Sequence, residues 1–551
     1  MIAQPMGEFA PVSFQQWQHK LAQQLPASQD ATLDEATTIA RLYHQRPKLN
    51  AVRNTAGHWY GLQPIFAQGE QWFNGFKQAP HQVAMVVTGQ TLSYFIHRDC
   101  LPGEQDWSIA IDYWHEQKWP LYLDAGLQTL ELAERWLKNV AVNTQGWLAM
   151  DPIGWSYQTA KPLDIDHLLH RAMQWHQQYP KLRTLLVRGL PYHVAGATPQ
   201  YEVVLMLAVA IDYLRRGIAL GYEPLTLGQA IAFEINVGSD LLAETARLRA
   251  MRNLWAGIIA QYGGGHGQQH TLHLLARNSW QQQTAIEPTS NLLRITTAGL
   301  AAVMGGAQGI SLLPFDFVVQ PPSEFSCHIT GNIHHLLREE GHLSRSSDGV
   351  GGAFAIEQLT QQTAQSIWQQ LQTLEQQGGI AALDAKQLQV ILAQQYTQQA
   401  QQLATVSKTM VGINRYPLAQ LLAPLPELVP SPWPVQRLSQ PWEQLRQRGQ
   451  ALANHVTIAI DRQAKAAIQR QISQWLALAG LMGTATTPDH RQNFHAVWLA
   501  DPSQISLWRQ AVPNGWLIGS QPDQHANDCY QPGEDLLAVL QRLVTALEDI
   551  R

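Results

Sequence analysis

The sequence predicts an α/β fold built on a parallel sheet, and the observations behind this prediction lie within residues 182–262. Residues 185–187 form a short apolar run that stops just before a glycine and a proline, which is typical of a buried strand that feeds a loop. Thr198 and Pro199 then form an N-cap with proline at the first helical position, and apolar residues recur at helical spacing as far as Gly221. Strand, loop and helix in this order form the repeating unit of a parallel sheet.

A second unit of the same kind follows directly. Residues 230–235 read as another strand, and Gly238 and Ser239 lead into a helix that stops at the glycines from Gly263 onward. In parallel α/β sheets the loops that bind ligands lie at the carboxyl ends of the strands. We therefore expect the loop at residues 192–198 to lie close to any functional site.

Length and composition limit the fold and the function. A chain of 551 residues is too long for one ordinary core, but a closed (β/α)8 barrel can absorb more than about 250 of them, so we expect two domains and an N-terminal arm. Charged residues make up 14% of the chain, and glutamine takes their place on helix surfaces such as residues 356–377. The net charge of −5 and the pI near 6.5 offer no basic surface for nucleic acid.

Cysteine usage and hydropathy indicate a cytoplasmic protein without a membrane partner. Cys100, Cys327 and Cys529 are far apart and show no CxxC spacing, which suits a reducing compartment and predicts neither a disulfide framework nor a zinc site. Residues 1–9 lack a signal-peptide pattern, and the apolar run at residues 203–211 has about half the length of a membrane span.

Two segments within residues 182–262 carry a family resemblance: residues 192–198 read YHVAGAT, and residues 243–256 read AETARLRAMRNLWA. The first is a shorter version of the YHxxAGAT loop, and the second resembles the MEIAKxRAxRxLWA helix, of the methylmalonyl-CoA mutase family and in particular of its small, cobalamin-free subunits. Residues 305–316, GGAQGISLLPFD, are closer to the small chains' GGADxxTVLPFD than to the matching large-chain segment. Residues 411–417 resemble IVGVNxYP, which closes the barrel domain in the family. The resemblance covers residues 9–417 in separate islands and implies a (β/α)8 TIM barrel.

The chain divides into four predicted parts. They are an N-terminal arm with helices at residues 1–50, a TIM-barrel acyl-CoA mutase-like domain at 51–420, a proline-rich linker and helix at 421–455, and a reduced C-terminal domain at 456–551. Helical patterns at residues 442–476 and 534–548, with apolar strands at 496–500 and 515–519, predict that the last part is a degenerate flavodoxin-like domain, similar to a cobalamin-binding domain.

The N-terminal arm carries Phe9, Val12, Trp17 and Leu21 in a pattern that resembles the FxPVxxxxW opening of small mutase chains. In those chains the arm embraces the partner subunit. The resemblance therefore implies that Phe9, Val12 and Trp17 contact a large catalytic mutase subunit in a heterodimer. We expect Leu21 to join them, because the arm has too little sequence around these four side chains to bury them locally. The alternative is that this short helix caps the chain's own barrel.

Four residues are candidates for the mouth of the barrel: Asp151, Tyr192, His193 and Glu339. Asp151 ends a segment that resembles the family's NYDPLG strand end, where it would point into the mouth. The alternative for an aspartate before proline is a turn residue that bonds its own backbone. An unrelated barrel hydrolase or lyase that uses Asp151, His193 and Glu339 is a further alternative for the whole protein.

The histidine clusters predict no metal site. Residues 334–342 contain three histidines, but their spacing suits a helix with Leu336 and Leu337 facing inward. The histidines at residues 266–273 lack the spacing of ligands held on one element.

The family's catalytic chains carry motifs that this chain lacks. Those chains ligate cobalt through a DxHxxG motif, which has no match in the tail. Their TIRPYAG segment corresponds here to residues 59–65, which lack the Arg and the Tyr. Their TIQND segment corresponds to residues 148–153, which lack the Gln. Their THSQTSGW segment corresponds to residues 273–280, where Leu275 takes the place of the His. A radical site without these groups has no acid and no clamps. We expect Leu275 and Met150 to fill the mouth with apolar side chains.

The resemblance therefore implies the non-catalytic subunit of an adenosylcobalamin-dependent methylmalonyl-CoA mutase, with no catalytic, cofactor-binding or metal-binding residue of its own. Adenosylcobalamin would lie in the large partner subunit, which interconverts methylmalonyl-CoA and succinyl-CoA. The alternative within the family is a catalytic acyl-CoA mutase chain that uses a separate cobalamin-binding protein.

Overall fold

The computed structural model describes most of the chain after residue 120 and four short strands before it. The described residues are 31–34, 37–39, 60–64, 83–88, 121–124, 126–138, 140–159, 161–263, 272–320, 322–346, 348–418, 434–488 and 494–550. The arm residues Phe9, Val12, Trp17 and Leu21, and the linker prolines before residue 434, lie outside these ranges. Within them, no helix has both the length and the apolar character needed to span a membrane.

Among the described residues, nine parallel strands form the main sheet, and an antiparallel pair, β1 (Ala31–Asp34) and β2 (Thr37–Ile39), precedes it. The nine strands are β3 (Tyr60–Pro64), β4 (Val83–Thr88), β5 (Leu121–Asp124), β6 (Gly146–Leu148), β7 (Leu182–Arg183), β8 (Leu185–Arg188), β9 (Ile231–Val237), β10 (Leu274–Asn278) and β11 (Gly309–Ser311). Their order is β7-β6-β5-β4-β3-β11-β10-β9-β8. Thr184 alone separates β7 from β8, and Leu186 N in β8 donates to Met150 O, just beyond β6, at 3.0 Å.

In the described part of the chain after residue 120, helices follow β5, β6, β8, β9, β10 and β11 and cover one face of the sheet. They are Thr129–Leu137, Pro152–Thr159, Ile165–Gln178, Leu190–Val194, Pro199–Ala219, Pro224–Ala230, Leu241–Gln261, Pro288–Met304, Glu324–His335, Phe354–Gln376 and Ala385–Ala404. The cap predicted at Thr198 is confirmed: its side chain accepts a hydrogen bond from Tyr201 N, and Pro199 occupies the first helical position. The α/β class with a parallel sheet is therefore confirmed.

The two faces of the sheet bury different side chains, because successive residues of a strand point to opposite sides. The face under the helices joins the main core, which includes Met150 and Val187. The opposite face carries a small separate cluster: Tyr122, Trp147, Ala149, Leu186, Ala232 and Leu275. The prediction that Met150 and Leu275 fill the mouth together is wrong, because the two side chains belong to different clusters. Ala149 belongs to the cluster of Leu275, and Met150, the next residue, faces the helices.

The C-terminal part forms a second parallel sheet. Its strands are β12 (Ile458–Asp461), β13 (Gly483–Thr486), β14 (Ala496–Trp498), β15 (Trp516–Gly519) and β16 (Asp528–Cys529). Its helices are Gln440–Leu452, Ala466–Leu478, Ile505–Ala511 and Leu536–Ile550. The strand order β13-β12-β14-β15-β16 is the 2-1-3-4-5 order of flavodoxin-like sheets.

One helical prediction in the tail is wrong. The stretch at residues 442–476 is two helices separated by β12, which pairs with β13 on one side and β14 on the other. Only four residues form this strand, and both of its neighbours come later in the chain. The helical period of apolar residues along 442–476 therefore could not reveal β12, because pairing with strands that come later in the chain decides its conformation.

The prediction that Leu336 and Leu337 both face inward is wrong for Leu336. The helix Glu324–His335 continues as a π-helical turn, Leu336–Glu340. Leu337 is buried as expected, but Leu336 is 50% exposed. Neighbouring residues of a helix point about 100° apart, and the wider π turn directs Leu336 away from the core.

Candidate functional site

Loops that follow β8 and β10 bring polar side chains together at one edge of the main sheet. His193 lies in the short helix Leu190–Val194, just after β8, and only 4% of it is exposed. Its Nδ1 is 3.5 Å from Oε2 of Glu202, and its Nε2 is 3.0 Å from Oγ of Ser279. Glu202 comes from the first turn of the helix Pro199–Ala219, and Ser279 directly follows β10.

Glu202 is held as a carboxylate although it is completely buried. Its Oε1 accepts hydrogen bonds from the backbone and side-chain nitrogens of Asn236 at 2.8 and 2.9 Å, and Nη1 of Arg247 is 3.8 Å from its Oε2. Burial alone would raise the pKa of this carboxyl, but His193, Arg247 and the Asn236 amide outweigh burial and lower it. The carboxylate therefore anchors the loop after β8 to strand β9.

Both ring nitrogens of His193 face polar groups of the protein, but only Nε2 has hydrogen-bond partners among the described residues. Gln281 N donates to Nε2 at 3.4 Å, and the Gln281 side chain donates to the backbone oxygen of His193. Because Nε2 accepts from this N–H, the ring proton lies on Nδ1 and faces Glu202. His193 therefore contacts both loops. Its Nδ1 has no hydrogen-bond partner among the described residues, and burial within the protein is what shields the imidazole.

Asp151 is a turn residue, which was one of the two alternatives drawn from the sequence. Its Oδ1 accepts from Gly154 N at 3.2 Å and so caps the helix that follows. Tyr213 Oη donates to the same oxygen at 2.8 Å, and Arg188 N donates to Oδ2 at 3.2 Å. Tyr213 belongs to the helix Pro199–Ala219, so these contacts favour the turn alternative over a side chain that points into the mouth. Burial, partly offset by the Tyr213 hydrogen bond, raises the pKa of Asp151 to about 6.

Tyr192 and Glu339 do not complete a site with these residues. Tyr192 is fully buried, burial raises the pKa of its hydroxyl well above the usual value, and the hydroxyl has no hydrogen-bond partner among the described residues. Glu339 is exposed on the π-helical turn Leu336–Glu340, and no hydrogen bond in the described part of the chain joins it to Asp151 or His193. The structure does not assemble the three residues of the hydrolase or lyase alternative.

A buried ion network that sequence reasoning missed lies on the other face of the sheet. Arg188 reaches Asp124 (Nη2 to Oδ2, 2.9 Å) and Glu234 (Nε to Oε2, 3.1 Å). Arg277 contacts the other oxygen of Glu234 at 2.6 Å, and Tyr122 Oη donates to that oxygen at 3.1 Å. The positive charges of the two arginines cancel the negative charges of the two carboxylates in this network. The sequence contains a signal for this network. Each charged residue stands two positions after a side chain of the small cluster on this face, as Arg188 does after Leu186, and residues two apart in a strand point to the same side.

The buried histidines weighed as metal ligands are held neutral. Burial, with the nearby charges of Arg338 and His335, lowers the pKa of His334 to about 3, and burial with Arg183 and Arg252 does the same for His273. Across the residues that the structure describes, no three His, Cys, Asp or Glu side chains stand close enough to hold a metal ion.

A family model and one known mutase each match more than half of this chain, and other mutases match shorter parts of it. A family model described as Methylmalonyl-CoA mutase matches residues 156–478. The methylmalonyl-CoA mutase small subunit of Streptomyces virginiae is 32% identical over 350 residues, which cover 60% of this chain and 56% of that protein. The small subunit of Porphyromonas gingivalis is 30% identical over 243 residues, or 44% of this chain and 39% of that protein. The methylmalonyl-CoA mutase large subunit of Streptomyces virginiae is 27% identical over 241 residues, which cover 44% of this chain and 33% of that protein. The matches span about half or less of each relative.

Proposed function

The chain belongs to the methylmalonyl-CoA mutase family, and on this premise we propose that it is the non-catalytic small subunit of an adenosylcobalamin-dependent methylmalonyl-CoA mutase. The partner large subunit interconverts methylmalonyl-CoA and succinyl-CoA, and this chain supplies no catalytic group. We also infer that the main sheet closes into a (β/α)8 barrel. The outermost strands β7 and β8 are consecutive in the chain, and the hydrogen bond from Leu186 to Met150 links β8 to the end of β6.

The observation that carries this proposal is the buried network of Asp124, Arg188, Glu234 and Arg277. A mutase interior needs an acid and polar clamps that are free to hold the migrating group. Here both arginines are bound to carboxylates of the same network, so it offers no net charge to a substrate. Leu275, on the same face, stands where the catalytic chains carry histidine.

The alternative of a catalytic chain served by a separate cobalamin protein requires a free acid at the carboxyl edge of the sheet. His193 is the residue best placed for this role. Its imidazole is committed to Glu202 on one side and to Ser279 and Gln281 on the other. This engagement favours the non-catalytic subunit over the catalytic alternative.

The C-terminal sheet supports the part of the proposal in which this chain binds no cobalamin. Asp461 ends β12, the first strand of that sheet, and Gln463 and Ala466 follow it at the spacing that the histidine and the glycine have in the family's DxHxxG motif. Gln463 N donates to Asp461 Oδ1 at 3.1 Å, and the side chain at the spacing of the histidine is an amide. An amide lacks the imidazole nitrogen that binds transition metals in proteins.

Visible spectroscopy tests this proposal. The purified chain is titrated with adenosylcobalamin, and the large subunit, treated in the same way, is the positive control. We expect the spectrum of the free, base-on cofactor to persist with this chain, and the cofactor to separate from it on gel filtration. A spectrum typical of histidine ligation, or co-elution of the cofactor with this chain, would overturn the proposal.

The partner proposed for this chain is a large mutase subunit. Obligate heterodimers bury on the order of 2,000 Å² or more and use apolar and aromatic anchors. Phe9, Val12, Trp17 and Leu21 are the anchors we propose, from their resemblance to the arm of small mutase chains.

A further inference from the structure

A short segment at residues 434–439, the strap, lies across two loops at the carboxyl edge of the main sheet. Gln436 N donates to Val194 O at 2.9 Å, which ties the strap to the loop after β8. Leu438 N donates to Gln281 O at 3.1 Å, which ties it to the loop after β10. The strap therefore bridges the two loops from which the candidate site is built.

A buried ion pair fastens the strap. Arg437 Nη1 and Nη2 donate to Glu443 Oε1 and Oε2 at 2.9 and 2.7 Å, a bidentate contact between side chains that are 5% and 0% exposed. Glu443 Oε1 also accepts from Ala285 N at 2.8 Å. Glu443 lies in the helix Gln440–Leu452, so the pair connects the C-terminal part of the chain with the loop after β10.

We propose that the strap is an occluding latch: it holds the carboxyl edge of the sheet shut over His193 and Ser279, and loss of the Arg437–Glu443 ion pair opens it. Loops normally run over the surface of a protein, yet His193, Ser279 and Gln281 in these two loops are all at most 4% exposed. The strap binds the residue after His193 and the residue that contacts its imidazole.

The ion pair gives this latch two discrete states. While the pair is intact, each charge is neutralised inside the protein. When one partner is removed, the other is left as an uncompensated buried charge, which is far less favourable than either the intact pair or two hydrated ions. The remaining charge reaches water only if the strap lifts from the loops. This inference is independent of the proposed function, because it concerns only the contacts of this chain.

Amide hydrogen exchange and histidine modification of the full chain test the latch. Glu443→Gln removes the carboxylate from Arg437. Glu548→Gln is the matched control. Glu548 pairs at 2.6 Å with Arg448, which lies in the same helix as Glu443 but on its exposed side. We expect at least tenfold faster exchange at Gln436 and Leu438 in Glu443→Gln, and modification of His193 by diethyl pyrocarbonate. Wild type and the control keep both sites protected.

A second variant keeps the test decisive if Glu443→Gln fails to fold. Tyr396 Oη donates to Arg437 O at 3.1 Å, so Tyr396→Phe loosens the strap without leaving a charge buried. We expect two- to threefold faster exchange at the strap amides and unchanged exchange in β9. The latch is overturned if the strap amides of a folded Glu443→Gln exchange as slowly as wild type. It is equally overturned if Tyr396→Phe speeds exchange only together with the amides of β9, or not at all.

Discussion

Gly189 has no room for a side chain because the carboxylate of Glu202 lies against its α-carbon. A Cβ built at Gly189 would stand 2.1 Å from Oε1 of Glu202 and 2.9 Å from Sδ of Met206. The φ of Gly189 is −77°, so the position requires space and not a left-handed backbone. The same Glu202 oxygen accepts both hydrogen bonds from Asn236. The glycine thus lets the carboxylate that holds His193 lie directly on the end of β8.

We expect Gly189→Ala to destabilise the protein by about 1–3 kcal/mol, because the added methyl must displace a buried carboxylate from its hydrogen bonds. Urea unfolding followed by circular dichroism measures the change. Gly257→Ala is the control: it lies within the helix Leu241–Gln261, and nothing comes within 4 Å of its added Cβ. That variant is expected to gain up to about 1 kcal/mol. A Gly189→Ala protein as stable as wild type would refute the close contact.

The raised pKa of Asp151 predicts how stability depends on pH. The folded protein holds this proton up to about pH 6, whereas an unfolded aspartate releases it near its model value of 3.8. The folded state therefore binds more protons between these values, and this group's contribution to stability is lost as pH rises through about 6. The shift corresponds to about 3 kcal/mol.

Asp151→Asn tests this dependence. Since the amide cannot titrate, we expect the fall in stability between about pH 4 and 6 to shrink by most of this contribution, as measured by urea unfolding at several pH values. Asp240→Asn, at an exposed N-cap, is the matched control for the replacement of one aspartate by asparagine. Identical pH curves for Asp151→Asn and wild type would show that Asp151 titrates as in the unfolded chain.

Glu234→Gln should be strongly destabilising. Glu234 contacts both Arg188 and Arg277, and although burial opposes ionisation, these two arginines lower the pKa of its carboxyl. Asp124 still pairs with Arg188, so removal of the Glu234 charge leaves one buried positive charge uncompensated, at an expected cost of about 3–5 kcal/mol near neutral pH. Denaturant unfolding measures the loss, and Glu548→Gln, from an exposed pair, should cost less than about 1 kcal/mol. Equal losses in the two variants would mean that the network is hydrated.

The parallel repeat could be predicted from sequence because its signals are local. The run at residues 185–187, the cap at Thr198 and the periodic helix behind it each lie within one short window, and the structure has all three. The ion network could not be predicted in the same way. Arg188 is 64 residues from Asp124 and 46 from Glu234, so pairing becomes visible only once the strands are side by side.

The site shows the same limit. His193 was singled out from a motif, but its partners Ser279 and Gln281 come from a loop about 90 residues later, and no local pattern connects them. Asp151 was placed at the correct strand end, yet its orientation depends on Tyr213 of a later helix. Sequence patterns thus located the edge of the sheet, whereas the contacts that keep the imidazole from a substrate depend on the tertiary fold.

Removal of residues 1–25 tests the proposed partner surface. We expect the truncated chain to keep its cooperative thermal unfolding and to lose co-purification with the large subunit, because Phe9, Val12, Trp17 and Leu21 are removed together. A quadruple alanine variant of these residues in the full-length chain is the matched control for the loss of length. If the truncated chain instead loses its unfolding transition, the arm belongs to this chain's own core.

The central claim, that this chain supplies no catalytic group to the mutase, is tested most directly by turnover of methylmalonyl-CoA to succinyl-CoA in the presence of adenosylcobalamin. The assay compares this chain alone, the large subunit alone and an equimolar mixture, with complex formation followed by gel filtration. We predict no turnover by this chain alone, and turnover by the mixture in a fraction that contains both chains. Turnover by this chain alone at a rate comparable to that of the mixture would contradict the account.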